Sequence, residues 1–546
     1  MAETTAFIQL VRCYTFLATI LAKLKLRRRA GVLNLAPGPW TLPVIGNTHN
    51  LLGALPHQAM HRLAQRHGPV MLLRLGHAHA VVLSSAEAAR EATMEVHGAA
   101  FADRPEYATA GSFIELLSST RLRSFRPVRE EEVARTVFGI SSSMSYMGPV
   151  LVNVSEIVKD MMKDVFTRVC VGETVKPITN VVFSRVSLGD WCPQWEAYLE
   201  ELDKATGLMS AGLSLTDLFP TSRLARTLGG RSQMRARQEA HRRIQSTVDA
   251  MIREHKTAME KTEEEADDDG GSDVPSDEST YEPLTPWTWR GPSAASADVP
   301  REDILTTLLR LQSNGGGVAL TNESVSSILF NIFYPGSEAA FTTILWAMSE
   351  LIRSPSIMTM AQSEVRRVLH RKKVTEANIN GQLPYLQMVI RETLRLHPPV
   401  PLLYPMSCTE ERSKIMGYDV LPGTTVFVNV WAIGRDEESW NDATEFIPER
   451  FFHSEKVDHT NNGGSDFTFF PYGGAAQRMC PAMMFAVSNI EIALASLLYH
   501  FDWNLPDDGN SEELDMAEAY DGITTHRKTQ LLLNARSTRS CWFNSL

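Results

Sequence analysis

The spacing of apolar residues changes several times along the chain, and each change predicts an element. From His57 to Gly68 apolar residues return at helical intervals, as on one face of an amphipathic helix. Val70 to Gly76 and His79 to Leu83 are short apolar runs rich in Val and Leu, and they predict the two strands of a hairpin. Ser84-Ser85-Ala86-Glu87 then carries a capping pattern that opens the next helix. Thr321-Asn322-Glu323-Ser324 opens another in the same way, and apolar residues fill Ile328 to Phe333 behind it. Pro335-Gly336 falls inside that helix. Proline removes an amide donor and crowds the preceding turn, so a kink with freed carbonyls is expected there. Tyr385 to Leu396 predicts a helix that Pro398 ends. Met483 to Leu498 is apolar on almost every side, the mark of a buried helix.

Residues 260–300 break these rhythms. They are acidic, then rich in Pro, Ser and Trp, with no period, and predict a disordered insertion. They also account for the charge. The net charge is −11, but between Glu260 and Glu282 eleven acidic residues face Lys261 alone, so the rest is nearly neutral. The acidity describes a linker rather than a substrate preference, and no nucleic-acid partner is expected. Asp164 to Glu173 and Val182 to Asp190 form an imperfect short repeat, explained equally well by chance or local duplication, and two copies make no solenoid. Leu213 to Pro220 ends a further helix at its Pro. At 546 residues and 43% hydrophobic content the chain can bury a large core, as one domain or two. Its six cysteines (13, 170, 192, 408, 480 and 541) are too few and too scattered for a disulfide framework, which fits a reducing compartment.

The first 30 residues carry their own signal. Ala6 to Ala22 is an apolar run interrupted by Gln9 and Arg12, and Lys23, Lys25 and Arg27-Arg28-Arg29 follow it. The run is near the lower length of a membrane span, and Arg12 leaves open a segment lying on the bilayer. Basic residues after the run, rather than before it, oppose a cleaved signal peptide and would hold that flank in the cytosol. Ala36-Pro37-Gly38-Pro39-Trp40 then makes a stiff hinge.

The candidate chemistry centres on Phe467-Thr-Phe-Phe-Pro-Tyr-Gly-Gly-Ala-Ala-Gln-Arg-Met-Cys-Pro-Ala482. Small residues let backbone amides approach the Cys480 sulfur, and the helix that follows offers its dipole to a thiolate. A buried structural cysteine is the plain alternative. Upstream, Glu392 and Arg395 are spaced to pair on one helical face. A carboxylate at a Pro-Gly kink, Glu338, could pass protons if a cofactor lay beside it.

Taken in order, these segments resemble the cytochrome P450 family, and in particular plant A-type microsomal members of specialised metabolism. The block from Tyr385 to Val400 with Glu392-x-x-Arg395, then Asn429 to Asp436, Phe446 to Phe451 with Arg450, and the Cys480 loop stand in the family's order. The resemblance spans about Ala36 to Leu533 (domain 36–533, tail 534–546) and implies the haem-thiolate fold, mainly helical with small β-sheets. It implies haem b with Cys480 as the axial iron ligand and Arg478 on a propionate. Glu338 would serve a proton relay, with Thr342, close to one turn along the helix, substituting for the family's alcohol through water. Glu392, Arg395 and Arg450 would form a buried ion network, a lock on the fold rather than catalytic machinery. The implied activity is hydroxylation of an apolar small molecule, with substrate contacts at Pro401-Leu-Leu-Tyr404 and around Phe333 and electrons from an NADPH-dependent flavoprotein reductase. The implied location is the endoplasmic reticulum membrane, anchored through membrane lipid by residues 1–30, with the catalytic domain facing the cytosol.

The sequence departs from the family pattern at four places. The cysteine loop is one residue longer, with Ala476 and Ala482 at its glycine positions. Ala339 stands where the oxygen-side alcohol belongs, and Met406 where close relatives have a propionate-binding Arg. The Trp-x-x-x-Arg helix that holds a propionate is absent: only nine residues separate Pro105 from Glu115, and no Trp lies between 40 and 191. Trp431 to Arg435 has that spacing but lies far downstream. Three readings therefore stand: a monooxygenase, a haem-thiolate isomerase or dehydratase that needs no oxygen, and a relic that folds without holding haem.

Overall fold

The computed structural model describes residues 33–93, 119–144, 149–172, 198, 200–202, 204, 231–268, 303–313, 320–409, 413–452, 467–473, 479–506, 509–521 and 524–538. The first apolar pattern becomes α1, Pro56–His67, with Pro at its first turn and Gly68 ending it at φ 101°, a backbone angle suited to glycine. The hairpin follows as β1, Val70–Leu75, and β2, Ala78–Leu83, in register Val70↔Leu83 to Leu75↔Ala78. Ser85 caps α2, Ala86–Thr93, by accepting from the Ala88 amide at 3.3 Å.

A short helix, α3 (Ser119–Ser124), and the longer α4 (Arg126–Ser143) lead to β3, Val150–Asn153, and α5, Val154–Val171. The first copy of the short repeat lies mostly on α5, while the second (182–190) and the Leu213 segment lie outside the described residues. The next helix, α6, runs Arg231–Asp268 and corrects one expectation. The stretch 260–268, assigned above to a disordered insertion, is helical. Its Glu, Lys and Ala residues have high helix propensity, which a reading of charge alone overlooks. The remainder, from 269 to 302, lies outside the described residues.

After α7, Ile304–Ser313, comes the long central helix α8, Asn322–Arg353, capped by Thr321 accepting from the Ser324 amide at 3.1 Å. It runs through Pro335 as one helix. Helices α9 (Pro355–Leu369), α10 (Glu376–Ile379) and α11 (Pro384–Leu396) follow, α11 stopping just before His397-Pro398. Strands β4 (Met406–Ser407), β5 (Ser413–Ile415), β6 (Tyr418–Val420) and β7 (Thr425–Val428) come next. They precede the single turn α12, Val430–Ile433, and the apolar helix α13, Met483–His500. The chain ends in β8 (Phe501–Asn504), β9 (Glu518–Asp521), β10 (Thr524–Arg527) and β11 (Leu532–Ser537).

One sheet has the order β1-β2-β7-β4, with β2 parallel to β7 and the other pairs antiparallel. A second has the order β3-β11-β8, and β5-β6 and β9-β10 are two-stranded ribbons. The main core is helical: α8 packs against α5, α11 and α13. Phe166 of α5 meets Phe333 of α8 and Phe485 of α13 edge-on, at 6.5 and 5.2 Å between centroids. Gly336 is required at this crossing, because a Cβ there would collide with the Phe166 ring. Among the described residues α13 is the one helix long and apolar enough to cross a membrane, but 72% of that window is buried within the fold. Its apolar surface is spent on the core. The fold is mainly helical with small sheets, as expected.

Candidate functional site

Two pieces of chain converge on the Cys480 loop. Phe467 and Phe470 anchor its start in the sheet-side core. Phe469 packs on Phe451 and Trp440 at 5.2 and 6.3 Å. The turn is then made by two left-handed residues, Tyr472 at φ 58° and Gly473 at φ 95°. The Cys480 amide donates to the Tyr472 carbonyl at 2.8 Å and closes the loop. Cys480 is half-buried just before α13, and burial pushes its thiol up while the Ala482 amide, hydrogen-bonded to it, pulls it down. That N–H is the kind of donor a thiolate needs. Just beyond, Phe485 is held under Arg129, whose guanidinium lies 5.1 Å from its ring and pairs with Glu376 at 2.5 and 3.0 Å. The start of α13 is thereby fixed to α4 and α10.

Arg478 lies outside the described residues, as do residues 94–118, where a Trp-x-x-x-Arg helix would stand. Met406 is buried on β4 opposite Val426 and serves packing.

Glu338 and Thr342 sit one turn apart on α8, and at about 100° per residue both point away from the Gly336 face that meets α5. Glu338 is half-buried. Thr342 is 1% exposed, and its hydroxyl has no hydrogen-bond partner among the described residues. By contrast Thr343 donates to the Ala339 carbonyl at 2.8 Å, the usual resting place of a mid-helix hydroxyl. A buried hydroxyl left open costs roughly 1–3 kcal/mol, so Thr342 is the alcohol here that has something left to bond.

The ion network behind the loop is complete. Arg395 and Glu392 are fully buried and joined twice, Nε to Oε2 and Nη2 to Oε1, both at 2.7 Å. Arg450 Nε reaches the same Glu392 Oε1 at 2.9 Å, and the Ile447 amide donates to it at 2.8 Å. Arg395 also donates to the carbonyls of Gly434, Ala443 and Glu445. Helix α11 thus holds residues 434–450, the segment leading to the cysteine loop.

A second polar cluster gave no sequence signal. His397, just past α11, is bonded to Glu350 Oε1 through Nε2 at 2.7 Å and stacks on Trp346 at 4.1 Å. Glu518 accepts from His57 and Gln58 at 2.9 and 2.8 Å and from Trp431 at 3.2 Å. Arg435 lies 4.0 Å over the Trp431 ring and donates to the Leu396 carbonyl, so Trp431 and Arg435 serve this cluster. Burial opposes the charge of Glu518, but the His57 bond and nearby Arg435 outweigh it and pull its carboxyl down to about 2. Burial likewise opposes Glu350, yet the His397 bond and nearby Arg353 and Arg435 hold it below the usual range. Burial lowers His397, and its bond to Glu350 offsets this only in part.

A histidine with a lowered folded value takes up a proton on unfolding. Its contribution is whole above about pH 6.5 and is lost as pH falls below that toward the folded value. Glu350, Glu518, Arg435 and Arg527 are the charged groups around the ring and its Trp346 partner. The unfolding midpoint should therefore fall more steeply below pH 6.5 in the wild type than in His397→Gln, as followed by circular dichroism; parallel pH curves would refute this assignment.

The sequence matches the family model described as Cytochrome P450 over residues 36–533. It is similar to dolabradiene monooxygenase of Zea mays, 37% identical over 550 residues covering 95% of this chain and 96% of that protein. It is also similar to zealexin A1 synthase of Zea mays, 36% identical over 543 residues, 94% and 95%. Premnaspirodiene oxygenase of Hyoscyamus muticus is 33% identical over 558 residues, 97% and 98%.

Proposed function

The chain belongs to the cytochrome P450 family and is a monooxygenase of that family, and from this we propose that it hydroxylates an apolar small molecule, a terpenoid or similar specialised metabolite. Relatives named for dolabradiene and premnaspirodiene support that substrate class. The observation that carries the reading is the sulfur of Cys480, supplied with the Ala482 amide at the head of an apolar helix that packs on the helix bearing Glu338 and Thr342.

The family implies a haem-iron cofactor, and the donors present fit it: a half-buried thiol with its own N–H donor, and an open buried hydroxyl on α8. Haem b would be held by Cys480, with Arg478 on a propionate. When bound, thiolate-ligated haem iron supplies reductive activation of dioxygen. The chain's residues supply the rest. The Tyr472 carbonyl and Ala482 amide fix the sulfur's position and charge. Glu338 holds a proton and Thr342 Oγ1 hands it on, in place of the alcohol that Ala339 lacks. Electrons come from an NADPH-dependent flavoprotein reductase docked on the Cys480 side. Residues 1–30 tether the chain to the endoplasmic reticulum membrane with residues 36–533 in the cytosol.

The test is NADPH-dependent oxygen consumption and product formation by the full chain with its reductase and a panel of sesquiterpene and diterpene olefins. Hydroxylated product that requires both NADPH and oxygen is expected. Turnover of a hydroperoxide without either would instead favour the isomerase or dehydratase reading that Ala339 motivates. Within the relay, Thr342→Val should lower product formed per NADPH consumed, and Glu338→Gln should slow product formation on the order of 100-fold. Ala339→Thr should raise product per NADPH. Unchanged coupling in all three would show that these residues do not form the relay.

A further inference from the structure

A cleft of about 970 Å³ opens between the start of α1, the ends of α8 and α11, α12 and β9, away from the cysteine loop. Three guanidinium groups line it from three separate elements: Arg62 on α1, Arg353 at the end of α8, and Arg435 just after α12. Among the described residues none of the three has a hydrogen-bonded carboxylate. Arg353 Nε stands 3.8 Å from Glu350 Oε2, and Arg435 bonds the Leu396 carbonyl.

The cleft's inner wall has the opposite character. Glu350 and His397 belong to its lining on side chains only 2% and 8% exposed, and Glu350 Oε2 and His397 Nδ1 are buried atoms with no hydrogen-bond partner. His397 Nδ1 looks across 4.0 Å at Glu518 Oε1, and Glu518 is already satisfied by His57, Gln58 and Trp431. With Nε2–H given to Glu350, Nδ1 is an acceptor. Two open acceptors thus sit behind an arginine rim. Unpartnered buried acceptors are costly, and planar guanidinium forks fit oxyanions.

We propose that this cleft binds a phosphate monoester or inorganic phosphate that keeps one proton: the P–OH donates to Glu350 Oε2 or His397 Nδ1, and the ionised oxygens accept from Arg353, Arg435 and Arg62. The acceptors make the site selective. Inorganic phosphate near neutral pH carries a proton to give, a monoester does so as the monoanion that the site would favour, sulfate carries none, and a wall of acceptors repels an oxyanion with nothing to donate. The phosphate is a free metabolite's or a lipid headgroup's. Leu52, next to Gly53 at the mouth, is 73% exposed and would suit the latter.

The experiment follows thermal unfolding of the full-length, haem-loaded protein, which reads binding independently of turnover. Inorganic phosphate should raise the midpoint saturably, with an apparent affinity at least about tenfold better than sulfate at equal ionic strength. Arg353→Gln, a change at the half-exposed rim, should abolish the effect. Glu350→Gln, if folded, exchanges an acceptor for a donating amide and should let sulfate act as well as phosphate. In a second arm, nanodiscs with phosphatidic acid are compared with phosphatidylcholine alone. Stabilisation by phosphatidic acid, lost in Arg353→Gln and not given by inorganic phosphate, would assign the phosphate to a lipid. Equal effects of sulfate and phosphate, an effect that survives Arg353→Gln, or none in either arm would overturn the proposal.

Discussion

Arg395→Leu is expected to leave almost no folded, haem-bearing protein. Glu392 is fully buried, and the change takes away both of its bonds from Arg395, leaving Arg450 and one amide to hold its charge. Losing one partner of such a pair costs about 3–5 kcal/mol. The carbonyls of Gly434, Ala443 and Glu445 lose their donor as well, at roughly 1–3 kcal/mol for each one left unsatisfied. Against a typical total stability of about 5–15 kcal/mol, that is most or all of the fold's margin. Arg395→Lys should rescue little, because one ammonium cannot present a planar fork to a carboxylate and three carbonyls together. Trp440 adds to the geometry, lying 5.2 and 5.9 Å from the Arg395 and Arg450 guanidinium carbons. The check is the unfolding midpoint and the haem-to-protein ratio of the purified variant. A midpoint indistinguishable from the wild type would show that the network is dispensable.

Cys480→Ser should abolish monooxygenase activity while leaving the apoprotein fold nearly intact. Serine is close to cysteine in size, the residue is half-buried, and the loop is closed by the Cys480 backbone amide, which serine keeps. What is lost is a thiolate, the only ligand type here that could donate charge to iron in the way the proposed chemistry requires. The far-ultraviolet circular dichroism should match the wild type, and product formation should fall below detection. Retained activity in this variant would move the iron ligand elsewhere.

How much of this was legible in the sequence depends on the range of the interaction. The Glu392–Arg395 pair needs only a spacing of three on a helix. The hairpin of residues 70–83 needs only two short apolar runs, and the cap at Thr321 needs one hydroxyl in place. Each is settled within a few residues, so the pattern contains it. The family order then supplied Arg450, which no local pattern could join to Glu392. The cluster around His397 was invisible for the same physical reason. His57 and Glu518 lie 461 positions apart, and a lone histidine after a helix has no period to mark it. Trp431 and Arg435 had the spacing of a propionate-binding motif, but their contacts with Glu518 and the Leu396 carbonyl are made only in the folded chain. The end of α6 departs from the expected disorder because the Glu and Lys residues of this acidic stretch are also strong helix formers. The spacing of Thr342 from Glu338 is visible in the sequence. That its hydroxyl is left without a partner is a fact of packing.

The proposed chemistry stands on the presentation of Cys480 as a thiolate ligand to haem iron. It is tested most directly by the absorption spectrum of the membrane-expressed full chain, reduced and exposed to carbon monoxide. The red-shifted Soret band of a thiolate-ligated carbonyl complex is expected in the wild type and should be absent in Cys480→Ser. An unshifted, histidine-type band, or no haem band in protein that is folded by circular dichroism, would contradict it.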